Sequence, residues 1–199
     1  STYVWLPLIT LTAMLFVVGM ADAQFGIGLH REWNDYQDPL GRITVSVPPG
    51  WTYQPDRSDD TVAVFFGPGA YDLFFLEIVP AGMPGRTAAA HALEAVRYYQ
   101  SGVLPRFALL SGPTAGTLSG FDASFIVYTY ADTNSSGVTF AEGRAFAVAG
   151  TDLYTIAFVD DADAFDGRTA LFNDVMDSLR IHIAPAPTMV FPAPQGSTT

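Results

Sequence analysis

Three histidines, His30, His91 and His182, stand in three separate segments of this 199-residue chain, and none has a second histidine four residues away. A helix needs that spacing to offer two imidazoles to one metal ion, so the pattern argues against a zinc centre and for surface or capping roles. Sixteen of the twenty acidic residues are aspartates, and four cluster in Asp160-Asp161-Ala-Asp163-Ala-Phe-Asp166-Gly167. A calcium loop of the EF-hand type would need an oxygen ligand where Phe165 stands and a closing glutamate that is missing. The cluster is instead expected to cap a helix and fill its first turns with acid, where it suits the positive end of the helix dipole. A weak cation site is the alternative.

Nucleophilic and nucleotide chemistry find no better support. The absence of cysteine removes disulfides, thiol catalysis and thiolate metal sites. There is no Gly-x-Ser-x-Gly elbow or phosphate-binding loop, and Gly26-x-Gly28 precedes no nucleotide-binding unit. Asn134-Ser135-Ser136 has the form of a glycosylation sequon but reads as a loop. The aromatics Phe65, Phe66, Phe74, Phe75, Phe125, Tyr128 and Tyr130 recur at strand spacing and are expected in a core. A non-enzymatic protein is expected, with no catalytic residue, no metal ligand and no cofactor.

Charge narrows the partners. Nine arginines, no lysine and twenty acids give a net charge of −11. Such a domain repels phosphate backbones, which excludes nucleic acid as a natural partner. It also repels anionic lipid, so any contact with a membrane must be apolar.

The sequence offers such a contact. From Ser1 to Ala21 there is no charged side chain, and Tyr3 to Met20 is almost wholly apolar. A run of that length is the minimum for a bilayer-crossing helix. Ala21-Asp22-Ala23 fits a signal peptidase site, but a positive n-region is missing and the run exceeds an ordinary h-region. Residues 1–23 are therefore expected to be a transmembrane anchor in contact with the lipid bilayer. Tyr3 and Trp5 would sit in one headgroup zone, with Phe25 and Trp33 beyond the other. The expected orientation puts the N-terminus in the cytoplasm and the domain in a periplasm or lumen.

A linker, residues 24–33, carries Phe25, Ile27 and Leu29, and Trp33 closes it. A Pro-rich tail, residues 184–199, cannot form a helix and holds the apolar island Met189-Val190-Phe191. These residues, with Tyr3 and Trp5, form the expected interface with the membrane and with other subunits of a membrane protein complex.

Between linker and tail, residues 34–183 read as one α+β domain. Ile43–Val47 alternates and stops at Pro48-Pro49-Gly50, and 61–66 with 71–79 reads as a hairpin around Gly67-Pro68-Gly69. Thr87 is placed to cap a helix to about Gln100, with Ala89, Leu93, Val96 and Tyr99 near its inner face. Two short strands, 107–110 and 114–118, flank Gly112-Pro113. Strands follow over 121–130, 138–148 and 153–159, then a helix over 160–179 with Phe165, Phe172, Val175, Met176 and Leu179 as its stripe. Runs of strands broken by two distant helices predict antiparallel α+β layers.

The segment Tyr36-Gln-Asp-Pro-Leu-Gly-Arg-Ile-Thr-Val-Ser-Val-Pro-Pro-Gly-Trp51 resembles the opening of the PsbP-like family: a strand, a glycine turn, an alternating strand and a Pro-x-Gly-Trp corner. The order of later elements is also similar, through Asp177-Ser178-Leu179-Arg180, so the resemblance spans about residues 34–182. It implies an α-β-α sandwich around an antiparallel sheet, and a mostly non-enzymatic family whose best-known member is an extrinsic lumenal subunit of photosystem II. The expected role is then a structural accessory subunit of a membrane-embedded energy-converting complex, a bacterial photosynthetic reaction-centre or light-harvesting assembly. The alternative is a membrane-tethered periplasmic binding protein or assembly chaperone for an apolar ligand.

Overall fold

A computed structural model describes residues 33–132 and 137–183 of the chain. The expected anchor, nearly all of the linker, and the tail lie outside these residues. Among the described residues, no helix is long and apolar enough to cross a membrane.

The strands are β1 (Asn34–Gln37), β2 (Ile43–Val47), β3 (Thr52–Tyr53), β4 (Val62–Phe66), β5 (Leu73–Pro80), β6 (Ala108–Leu118), β7 (Phe121–Ala131), β8 (Thr139–Ala149), β9 (Asp152–Asp161) and β10 (Arg180–Ile181). Two α-helices interrupt them, α1 (Ala88–Tyr98) and α2 (Ala162–Ser178). A seven-stranded antiparallel sheet runs in the order β3-β4-β5-β9-β8-β7-β6, and a small sheet has the order β1-β2-β10. The expected sandwich holds, with one addition. β10 returns after α2 to pair with β2, Ile181 against Ile43, so a second sheet shares the α2 side. Two residues are too short a run to show periodicity, which is why sequence did not announce this strand.

Alternation along the strands assigns the two faces of the large sheet. Phe74, Leu76, Ile156 and Phe158 point to the side covered by α2 and the small sheet, where Ile43, Val45, Val47, Phe165, Phe172 and Val175 meet them. The rings of Phe158 and Phe172 stack with centroids 4.4 Å apart. Trp51 turns in from the Pro-Pro-Gly corner to lie 5.3 Å from Phe74. On the opposite face α1 lays Ala88, Ala92, Val96 and the following Tyr99 over Ile126, Tyr128 and Phe146.

The inner stripe of α1 differs from the one expected. Val96 and Tyr99 do face inward, but Ala88, His91 and Ala92 replace Ala89 and Leu93, and Leu93 is 41% exposed. Alanine gives no hydropathic contrast and a histidine on the buried face masks the periodicity, so Leu93 misled the reading. Small residues here let the helix backbone approach the sheet closely. Thr87 caps as expected, its hydroxyl accepting the Ala90 N–H at 3.2 Å.

The region read as two short strands is one edge strand, β6, with register shifts between Leu109 and Ser111 and between Ser111 and Thr114. A proline is tolerated there because an edge strand at a bulge needs no donor at that position. Gly112 in that bulge has φ +93, and a Cβ on it would stand 2.1 Å from the carbonyl oxygen of Phe125. Gly120, in the β6–β7 turn, has φ +82 but nothing within 4 Å. Gly112→Ala is therefore expected to cost about 3 kcal/mol or more, against about 1 kcal/mol for Gly120→Ala, which suffers only the left-handed backbone. Urea unfolding of both variants separates these outcomes.

Candidate functional site

Glu142 and Arg144 are two residues apart on β8, so both project to the α1 face. The Glu142 carboxylate accepts a hydrogen bond from Arg144 Nε. The guanidinium also lies 5.0 Å from the ring of Phe75 and 5.5 Å from that of Tyr99. Phe75 comes from β5 and Tyr99 from the wide helical turn Tyr99–Val103 that follows α1. The cation thus ties the end of α1 to the middle of the sheet. Tyr99 and Tyr128 rings sit 5.1 Å apart beside it.

Desolvation works against the Arg144 charge, but the attraction of Glu142 and of the flanking tyrosines outweighs it and keeps the guanidinium firmly protonated. Burial pushes the Tyr128 hydroxyl well above the ordinary tyrosine range, and Tyr99 moves the same way for the same reason. Phenols held neutral beside a permanent cation that is already paired make a structural lock. Glu142→Met with Arg144→Met is expected to retain most of the stability, whereas Arg144→Met alone should cost about 3 kcal/mol by leaving a buried carboxylate unpaired. Denaturant unfolding of the two variants checks this.

A second polar cluster sits where the β4–β5 turn meets the start of α2. Asp72 is buried and its Oδ2 accepts the Gly69 N–H at 2.8 Å and Arg168 Nη1 at 2.7 Å. Asp160, at the end of β9, is also buried, and its Oδ1 accepts the Asp161 N–H at 2.7 Å. Arg168 Nε is 3.7 Å from the other Asp160 oxygen, beyond hydrogen-bond reach. That oxygen is buried, and the neighbouring Asp72 side chain is among the causes that favour its protonated form. Burial pushes the Asp160 carboxyl up to about 6, the Asp72 charge adds to the rise, and the Asp161 amide and Arg168 oppose it.

The helix-cap expectation for the aspartate cluster is met at Asp161, which accepts the Asp163 N–H at 3.0 Å and precedes α2. No group of three or more potential metal ligands occurs among the described residues. The raised Asp160 group lowers stability as pH climbs from about 4 to 6, because the unfolded carboxyl ionises first and the folded one must then ionise at a cost. Asp160→Asn removes that cost. Its Tm should exceed that of the parent by about 3 °C or more at pH 8 and match it near pH 4, followed by a thermal melt at each pH.

Between α2 and the sheet lies a cavity of about 30 Å³, lined chiefly by Phe125, Val127, Gly143, Phe158, Phe165 and Phe172. Gly143 helps to open it: a Cβ there would be 3.4 Å from Phe165 Cζ. That volume admits a water or two, whereas small-molecule sites run to several hundred Å³.

Of the interface residues expected from sequence, Trp33 is described. It is half-buried and packs against the core on the α2 side. Tyr3, Trp5, Phe25, Ile27, Leu29, Met189, Val190 and Phe191 lie outside the described residues, as does His30. The histidine expectation needs correction at His91, which is 8% exposed on the inner face of α1, its basicity lowered first by burial and then by Arg86. His182 is exposed, 3.2 Å from the Thr44 hydroxyl. Sequence reasoning passed over Arg144, Asp72 and Arg168. The signal was present for the first, since Glu142-Gly143-Arg144 interrupts an otherwise apolar strand. For the other two it was absent, because 96 residues separate them.

No family model matches the sequence, and no curated protein matches it either. The fold does have counterparts. Cyanobacterial PsbP (CyanoP) from Synechocystis superposes with a TM-score of 0.57 at 16% identity, covering 80% of this chain and 98% of its own. The Ran-binding protein Mog1p of Saccharomyces cerevisiae gives 0.53 at 10% identity, covering 75% and 95%. A Pseudomonas aeruginosa protein of unknown function, a putative regulator by its title, gives 0.51 at 14% identity, covering 78% and 99%. This chain has a PsbP-like fold. Identities this low establish architecture, and the differing roles named for these proteins show how little architecture dictates function.

Proposed function

We propose that the protein is a non-catalytic accessory subunit of a membrane-embedded energy-converting complex, a bacterial photosynthetic reaction-centre or light-harvesting assembly. The observation that carries the reading is the PsbP-like sandwich, matched over nearly the whole length of a cyanobacterial PsbP. In this chain it follows an uncharged apolar run long enough to cross a bilayer. In this reading residues 1–23 pack among other membrane helices. The linker residues Phe25, Ile27 and Leu29 meet a neighbour at headgroup level, and the acidic domain stands on the periplasmic or lumenal face. The work done is positional, with no turnover and no bound cofactor.

The two buried polar clusters fit this role. Arg144 with Glu142 and Arg168 with Asp72 spend their charge on holding helices to the sheet. The rival reading, a tethered carrier of an apolar ligand held beneath α2, would need the cavity there to grow about tenfold. Displacing Phe165 and Phe172 from the core would be the consequence, which disfavours it.

Purification of the full chain in mild detergent through a tag after Thr199, with mass spectrometry and an absorbance spectrum, tests the proposal. Membrane proteins in stoichiometric amount together with a pigment spectrum are the expected result. Replacing Phe25, Ile27 and Leu29 by serine should then release them. A colourless monomer from native membranes would overturn the reading.

A further inference from the structure

Two carboxylates and one guanidinium meet where the β4–β5 turn, the end of β9 and the first half of α2 come together. The Asp72 and Asp160 side chains are each 3% exposed, and Arg168, the cation between them, is 30% exposed. The charges do not balance. Arg168 Nη1 is committed to Asp72 at 2.7 Å, and the second Asp160 oxygen is buried with no hydrogen-bond partner. A carboxyl in that position is costly to ionise, and a proton relieves the cost. Among the described residues, Asp72 ahead of β5 and Arg168 on α2 are the charged groups that act on it. The Asp161 side chain is occupied by the Asp163 N–H. On either side of this end of β9 the paired residues are Phe140 and Ala141 of β8 and Leu73 of β5, which do not titrate.

We propose that this cluster is a pH-operated latch: with Asp160 protonated, Arg168 and Asp72 clamp the β4–β5 turn to α2, and ionisation of Asp160 draws Arg168 away and loosens the turn. The turn is built on Asp72. Its Oδ2 accepts the Gly69 N–H at 2.8 Å, and its backbone carbonyl accepts the Gly67 N–H at the same distance. A Cβ on Gly69 would collide with the Asp72 carboxyl, and one on Gly67 with Asp72 and the Trp51 ring, so the chain wraps this side chain closely. Arg168 is the moving part. Its Nε stands 3.7 Å from Asp160 and needs a shift of only about 0.8 Å to make a hydrogen bond. A partly exposed arginine can move that far without unpacking the core. Ionised Asp160 therefore competes with Asp72 for one guanidinium and repels Asp72 at the same time.

Opening is linked to protons in one direction. Asp160 titrates at about 6 in the closed cluster, against about 4 for an aspartate in water. Lifting the turn admits water, so the open form ionises first. Opening becomes easier as pH rises from about 4 to 6 and changes little above that. Two pH units correspond to at most about a hundredfold in the ratio of open to closed turn, of which about tenfold falls between pH 5 and pH 7. The latch belongs to the domain itself and operates whether or not the domain joins a larger assembly.

Amide hydrogen exchange of the full-length protein in mild detergent, followed residue by residue by NMR and divided by the intrinsic rate at each pH, tests this. The Gly67 and Gly69 amides should lose about tenfold in protection between pH 5 and pH 7, while those of β7 keep theirs. Asp160→Asn keeps the shape and cannot ionise, so its turn amides should stay equally protected at both pH values. Arg168→Gln should lower their protection already at pH 5. A turn indifferent to pH in the parent, an Asp160→Asn variant that still loosens, or protection unaffected by Arg168→Gln would overturn the latch. So would an equal loss in β7, which would mean that the whole domain unfolds.

Discussion

Phe74 and Phe75 are neighbours on one central strand, and they cannot both be buried by one layer. The first points toward Phe65 and Phe158, the second toward Arg144 and the strip of Val64 and Ala157. The same holds for Ile156 with Ala157 and for Phe158 with Val159, all four at most 3% exposed. A sheet apolar on both faces must be covered on both, and this constraint places every other element of the domain. On one side the cover is double, α2 beside a small sheet that closes only when β10 returns to β2. On the other, among the described residues, it is α1 with its inward alanines, continued by Tyr99 and Leu104 after the helix.

Charge enters as a fastener within this scheme. Arg144 is held by Glu142 and two rings at the margin of α1, and Arg168 reaches from α2 to Asp72 in the β4–β5 turn. Buried ion pairs add little net stability when compared with a well-packed apolar core, but breaking one partner is costly. They therefore specify where the helices sit more than how tightly the domain holds together. Asp160 is the exception, a carboxyl that remains a liability whenever it is ionised. Its position at the junction of β9 and α2 makes that junction sensitive to pH.

A fold shared with cyanobacterial PsbP, a Ran-binding protein and a bacterial protein of unknown function is a platform whose task is set by its attachments. In this chain the attachments are the apolar segment ahead of Trp33 and the uncharged strip behind Ile183. The proposed function gives the first of these an outward role in a membrane assembly.

Strand periodicity made β2, β4, β5, β7, β8 and β9 legible from sequence to within two or three residues, because alternation is a local signal that neighbours in the chain must satisfy together. The Thr87 cap, the length of α2 and the Pro-Pro-Gly-Trp corner were equally local. What the sequence could not determine is what depends on distant residues meeting. The inner face of α1 is decided by a sheet that tolerates His91 and prefers alanine to Leu93. The two-residue β10 exists only because β2 is beside it. Arg168 finds Asp72 and Asp160 only once the β4–β5 turn, the end of β9 and the first turns of α2 are brought together. Local pattern chose the elements, and the need to cover two faces of one sheet chose their partners.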